Sequence, residues 1–411
     1  MKTISKLGAL LLATTIIFGA PACKKEKKPE TETPSEGNGN GNGGGGNQSS
    51  SCMTFIDLDT QYDKVIYLDF IDDNNGWAIG YNQTNLSKRI LMNTADGGTT
   101  WSVINNDLDL AYDNGYTSGE ALLFINATDG YRRSANEPTN NNALLEIGYT
   151  TDKGATWTSF PNPFINTSLP NNPYFYVNHW SSCFASNGDE TIFFGTNYVG
   201  TSNYYLFVIK VNNTTKAISY SHYYTPTNAS VIIDNQATTS VHFAQNGTVT
   251  AAVEPMGNGD IQMVQSIDFG TTWTVVKTTN HGRITTVDWV DDNTGFVFLS
   301  DAYDGGKFMY KTADGGATWT NETITPKFQM ARFADANNGI GATDFDFYYT
   351  TDGGVTWTEK TCYTSDGQYA AGFDEVVAYP SVNNGWVAGS KYYDAQGNYN
   401  SKDGLFNFTG N

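Results

Sequence analysis

The sequence predicts an all-β chain folded as a seven-bladed β-propeller with four-stranded antiparallel blades. Three observations carry that expectation: an eight-residue motif recurs five times, an anchor pattern recurs seven times at blade-length spacing, and no long helical period follows the N-terminus. The composition agrees, because 42 glycines and 14% aromatic residues suit short strands joined by tight turns.

The eight-residue motif reads S/T-x-D-x-G-x-T-W. Its copies are Thr94-Ala-Asp96-Gly-Gly98-Thr-Thr-Trp101, Thr150-Thr-Asp152-Lys-Gly154-Ala-Thr-Trp157, Ser266-Ile-Asp268-Phe-Gly270-Thr-Thr-Trp273, Thr312-Ala-Asp314-Gly-Gly316-Ala-Thr-Trp319 and Thr350-Thr-Asp352-Gly-Gly354-Val-Thr-Trp357. Each is an Asp box with a mechanical logic: Asp accepts backbone N–H groups across the turn, Gly supplies positive φ, and Trp buries its ring beside the next strand. These residues read as hairpin locks rather than as chemistry.

The second pattern is an aromatic anchor, a polar turn and a short apolar strand. It begins at Phe70, Phe124, Phe184, Phe243, Trp289, Phe333 and Tyr379, at intervals of about 44 to 60 residues, near the length of one four-stranded blade. The box carboxylate follows its anchor by about 19 to 28 residues. In the third unit that offset falls on Asn212-Asn213-Thr214-Thr215, a box without its Asp and Trp, and in the seventh on Ser401-Lys-Asp403-Gly404, which reads as a box cut short by the chain end. The last unit thus supplies three strands. The segment Thr54 to Asp59 is placed to supply the fourth, as the outermost strand of blade seven.

Residues 1–22 read as an export signal, with Lys2 and Lys6 before an apolar run from Leu7 to Ala20. Ala20-Pro21-Ala22 before Cys23 looks like a bacterial lipoprotein cleavage box, which makes Cys23 the lipidated residue; ordinary signal-peptidase cleavage is the alternative. Residues 23–51 carry Lys24, Lys25, Lys27 and Lys28, then a Gly/Asn/Ser run with almost nothing to bury, and read as a tether. Residues 52–411 form the propeller. Of its Cys52, Cys183 and Cys362, the pair Cys52 and Cys362 is the candidate disulfide, since both flank outermost strands of neighbouring blades.

The combination F-x-D-x-x-x-G-W-x-x-G followed by T-x-D-G-G-x-T-W resembles the photosystem II assembly and stability factor-like propellers, with Gly76-Trp77, Gly339-Ile340 and Gly385-Trp386 carrying it most clearly. Asp-box propellers of sialidases, xyloglucan-active glycosidases and the sortilin ectodomain are similar. The resemblance implies a rigid exported propeller of the kind that holds another protein. The Asn-rich third and fourth units and the acidic balance depart from that factor's basic contact surface.

A formal charge of -19 argues against nucleic acid and anionic lipid as partners of the domain. A sialidase reading needs three arginines around a carboxylate, and Arg89, Arg132, Arg133, Arg283 and Arg332 lack its sequence context. A glycoside hydrolase with two carboxylates at the mouth is the alternative function, with Asp301, Asp304, Asp344 and Asp346 as candidates among loops that also hold Glu254 and Asp394. Aromatic loops carry Tyr112, Tyr116, Phe164, Tyr174 to Tyr176, His179 and Trp180, suited to sugar stacking or a protein hot spot. Turns such as Asp72 to Gly76 and Asp291 to Gly295 invite calcium but lack its full ligand spacing, so no metal or cofactor is expected. The favoured reading is a monomeric, membrane-anchored envelope lipoprotein that binds a protein or glycan without catalysis. Its expected site is the mouth opposite the Asp boxes, with Arg132, Arg133, Trp180 and Tyr392 as binding residues.

Overall fold

A computed structural model describes residues 53–57, 62–82, 85–108, 122–136, 144–160, 183–199, 203–224, 240–253, 261–279, 283–300, 306–328, 330–343, 346–360, 370–393 and 399–408. These residues form an all-β, seven-bladed propeller of seven four-stranded antiparallel sheets. Blade one contains Tyr62–Phe70, Gly76–Asn82, Asn85–Thr94 and Ser102–Leu108. Blade two contains Leu122–Phe124, Gly130–Asn136, Leu144–Thr150 and Thr158–Ser159, and blade three Cys183–Ser186, Glu190–Val199, Asn203–Asn212 and Ile218–Tyr224. Blade four contains Ser240–Phe243, Val249–Val253, Gln262–Ser266 and Thr274–Thr278; blade five Arg283–Trp289, Gly295–Ser300, Gly306–Thr312 and Thr320–Phe328. Blade six contains Met330–Phe333, Gly339–Ala342, Phe347–Thr350 and Thr358–Glu359. Blade seven takes Ala370–Ser381, Asn384–Tyr393 and Tyr399–Phe408 from the C-terminal end, and Met53–Asp57 pairs antiparallel beside the last of them, Met53 opposite Phe408 and Asp57 opposite Gly404.

The apolar core is divided among the blade interfaces, one cluster for each neighbouring pair, including blade seven against blade one. This explains the strand sequences. A second strand is covered on both faces by adjacent blades, so Val249–Val253 and Gly339–Ala342 are buried throughout. The outermost strands meet solvent: Ser102–Leu108 is largely exposed, and so are Thr158–Ser159 and Thr358–Glu359. First strands stand side by side around the axis, those of blades five, six, seven and one in succession and those of two, three and four likewise.

The anchors act in this packing as keys between blades. Phe70 lies over its own Gly76, where a Cβ would fall 2.5 Å from the ring. The residue after that glycine turns to the next blade, where Trp77 stacks on Phe124 with centroids 3.9 Å apart. The same relation joins Phe296 to Phe333 at 3.6 Å and Trp386 to Phe70 at 5.7 Å, the last across the closing interface.

Two imperfect units resolve differently from each other. In the third, Asn212 Oδ1 accepts Thr214 N and Thr215 N, and Asn213 Oδ1 accepts hydroxyls from Thr191 and from Tyr131 of blade two. The seventh corrects the sequence expectation. Ser401 to Gly404 is not a truncated box but lies inside Tyr399–Phe408, with Asp403 opposite Ser390 and Gly404 opposite Gly389. The offset from the anchor misled because the strands of this blade are longer, at 12, 10 and 10 residues.

Candidate functional site

Of the expected mouth residues, Arg132, Arg133, Asp346 and Tyr392 are among the described residues. Arg132 and Arg133 sit on the second strand of blade two, away from the axis; Arg133 is 2% exposed, and the Arg132 guanidinium lies 5.0 Å over the Trp157 ring. Asp346 closes the hairpin between the second and third strands of blade six, its N–H donating to Thr343 Oγ1 at 2.9 Å. Tyr392 lies on Asn384–Tyr393. Asp301, Asp304, Asp344, Trp180, the aromatic loops, and the Cys23, Cys52 and Cys362 positions lie outside the described residues.

The five box carboxylates are engaged as turn acceptors. Asp96 Oδ1 accepts Thr100 N at 2.9 Å and Thr94 Oγ1 at 2.8 Å, and Oδ2 accepts Thr100 Oγ1 at 2.7 Å. Thr94 Oγ1 in turn accepts Gly98 N, and Trp101 Nε1 donates to Gly98 O. The carboxylates of Asp152, Asp268, Asp314 and Asp352 take the same bonds, and the indoles of Trp157, Trp273, Trp319 and Trp357 donate likewise. Hydrogen bonds from Thr100 and Thr318 hold the Asp96 and Asp314 carboxyls below the usual range. The turns read for calcium are satisfied by their own backbone: Asp72 Oδ1 accepts Asn74 N and Asn75 N, and Asp291 Oδ1 accepts Asn293 N and Thr294 N. Each such turn also bonds the box beside it, as Gly97 N does to Asn74 O and Gly315 N to Asn293 O. Boxes and anchor turns therefore share one end of the ring.

At that end, the residue just before each anchor forms one layer around the axis: Asp69, Leu123, Cys183, His242, Asp288, Arg332 and Ala378. Blades one, five and six contribute a charged group. Asp69 Oδ1 accepts Phe70 N at 2.9 Å, and its Oδ2 accepts the Tyr67 hydroxyl at 3.2 Å. Asp288 Oδ2 accepts Phe333 N of blade six at 2.6 Å. Arg332 Nη1 donates to Val287 O and Ala331 O at 3.5 and 3.4 Å, long bonds that hold it weakly. All three charged residues are half-buried.

Burial pushes the Asp69 carboxyl up to about 6, against the attraction of Arg332 and the bonds from Tyr67 and Phe70, with Asp288 adding repulsion. Burial raises Asp288 too, opposed by Arg332 and by the N–H groups of Phe333 and Trp289. Burial and then Asp69 hold the Tyr67 phenol well above its ordinary value, so it stays a donor. His242 in the same layer stacks on Trp289 at 4.2 Å, and burial lowers its pKa, leaving it neutral near pH 7. The sequence signal was a charge at the end of an otherwise apolar first strand, as in Val65-Ile-Tyr-Leu-Asp69-Phe70.

No protein-family model matches the chain. Over 60 residues it is 40% identical to the photosystem II assembly lipoprotein Ycf48 of Prochlorococcus marinus (strain NATL2A), covering 15% of this chain and 16% of that protein. Among solved structures, YCF48 bound to D1 peptide aligns with a TM-score of 0.47 at 14% identity, over 88% of this chain and 98% of that one. Polysaccharide lyase Uly1 aligns with a TM-score of 0.52 at 9% identity, over 87% and 92%. At such identities the structural likeness shows the fold alone. The chain is thus a β-propeller that is similar to Ycf48 over those 60 residues, about a sixth of that relative's length.

Proposed function

We propose that this chain is an exported propeller, tethered by a lipid on Cys23, that binds a protein partner at the cell envelope and performs no chemistry of its own. The observation that supports binding over turnover is how the ionisable groups among the described residues are held. The box carboxylates are turn acceptors, and the Tyr67–Asp69 pair, whose residue types are those of a tyrosine nucleophile and its base, has its phenol fixed as a protonated donor. Among the described residues, the axis carries a set of opposite charges with weakly engaged donors, a means of recognition. The tether is supported by Ala20-Pro21-Ala22-Cys23 and by the lipoprotein nature of the relative matched over 60 residues, itself an assembly protein. In this reading Met53–Asp57 fastens blade seven and holds the ring in one shape for its partner.

The test pairs two measurements. Photo-crosslinking of the full chain in envelopes is expected to give one stoichiometric protein partner. Incubation with a polysaccharide panel is expected to release no reducing ends. Sugar release abolished by Asp301→Asn or Asp344→Asn would overturn the reading in favour of a glycoside hydrolase.

A further inference from the structure

We propose that the axial cluster of Tyr67, Asp69, Thr286, Asp288 and Arg332 receives the ammonium or guanidinium tip of a Lys or Arg side chain of the partner protein, entering from the end that carries the Asp boxes. The proposal rests on the protein-binding reading above and supplies the chemistry of its partner.

Three independent features converge. The first is a count of charge: two carboxylates and one guanidinium leave the cluster at -1 when both acids are ionised. Arg332 attracts both, yet its Nη1 is turned to the carbonyls of Val287 and Ala331. A second cation would therefore find acceptors still short of positive charge.

The second is a hydroxyl. Thr286 is 4% exposed, and its Oγ1 has no hydrogen-bond partner among the described residues. Consecutive pairs Thr286 with Phe298, Val287 with Val297 and Asp288 with Phe296 place Thr286 and Asp288 on one face of their strand. A buried hydroxyl left unpaired costs about 1–3 kcal/mol, and an N–H donor arriving beside Asp288 would recover it.

The third is the approach. The five box carboxylates stand at the same end of the ring, each fixed by N–H and hydroxyl donors that favour its ionised form. Their field draws cations toward that end and repels anions. A bare metal ion fits less well, because among the described residues no three His, Cys, Asp or Glu side chains come together to hold one. A side-chain cation with several N–H donors matches two carboxylates and a hydroxyl.

The test uses the full chain in detergent, with n-butylammonium and n-propylguanidinium as stand-ins for Lys and Arg tips and butyrate as the anion. NMR of the Arg Nε–Hε resonances reads binding, and thermal unfolding checks that each variant folds. Saturable binding of either cation, weakened at least 10-fold in Asp69→Asn/Asp288→Asn and several-fold in Thr286→Val, supports the proposal. Retention of binding by Asp73→Asn/Asp292→Asn supports it further. Unchanged affinity in the axial variants, no cation binding to the parent, or butyrate binding in place of cations would overturn it. Partner crosslinking separates the two levels: capture that survives in Asp69→Asn/Asp288→Asn sinks this site but not protein binding. Cation binding at the axis with no partner in envelopes sinks protein binding instead.

Discussion

The indole of Trp77 in blade one lies flat on the ring of Phe124 in blade two, with centroids 3.9 Å apart and 7° between the planes, while its Nε1 donates to Lys153 O at 3.3 Å. One side chain thus joins the anchor and the Asp box of the next blade. Trp77 is fully buried, so Trp77→Ala should remove both contacts and leave a cavity. A loss of about 3–5 kcal/mol is expected in denaturant unfolding. Trp77→Phe, which keeps the stack and loses the hydrogen bond, should cost much less. Equal losses would show that stacking contributes little.

The Asp box predicts a split between two substitutions at one position. Asp96→Ala removes the acceptor of Thr100 N and of two hydroxyls, largely exposed groups that water then solvates, and should cost about 0.5–1.5 kcal/mol. Asp96→Asn keeps an acceptor for Thr100 N and should cost less. Neither should change partner binding, because Asp96 serves its own turn. A binding defect in a stably folded Asp96→Asn would give that carboxylate a role the hydrogen bonds do not reveal.

The motifs made the ring legible because each repeats a local rule, and they concealed whatever depends on ring assembly. Gly98 shows both. Its φ of +85° is the positive value the turn motif implies, but a Cβ there would also fall 2.2 Å from Trp386 of blade seven, a contact that no local reading contains. Asp69, Asp288 and Arg332 were hidden for the same reason. Each looks like a polar residue flanking a turn, and only closure of the ring brings blades one, five and six to one axis. The expectation of a site at the opposite mouth rested on loop placement, and Trp180, Asp301, Asp304 and Asp344 in those loops lie outside the described residues. Ser401 to Gly404 failed because an offset in sequence counts residues, whereas a box needs a turn.

Asp69 should leave a signature in the dependence of stability on pH. Its carboxyl moves from 3.8 to about 6 on folding, through burial and the repulsion of Asp288, partly offset by Arg332 and by the bonds from Tyr67 and Phe70. A folded-state acid with a raised pKa binds its proton more tightly than the unfolded chain does. Stability is therefore retained below pH 4 on this account and lost as pH rises toward 6, by on the order of 1–3 kcal/mol. Asp69→Asn removes the buried charge and keeps an acceptor for Phe70 N. It should unfold at a higher temperature than the parent at pH 8, with the difference shrinking through pH 5 and vanishing below about pH 4. A variant less stable than the parent at pH 8 would mean that Arg332 outweighs burial.

The strand Met53–Asp57 offers the most direct test of how the ring is held. It pairs over its whole length with Tyr399–Phe408, and Ile56 packs against the cluster that joins blade seven to blade one. Removing it would leave Tyr399–Phe408 as an unpaired edge and uncover part of that interface, where Trp386, Leu405 and Phe70 are buried. Deletion of residues 53–63 is therefore expected to lower the unfolding temperature of the whole domain in a single transition, because every blade is supported by two neighbours and loss of one interface opens the circle. A low-temperature transition limited to blade seven would show that the remaining blades hold together without it. Unchanged unfolding would show that this strand does not fasten the ring, and that packing between blades seven and one closes it alone.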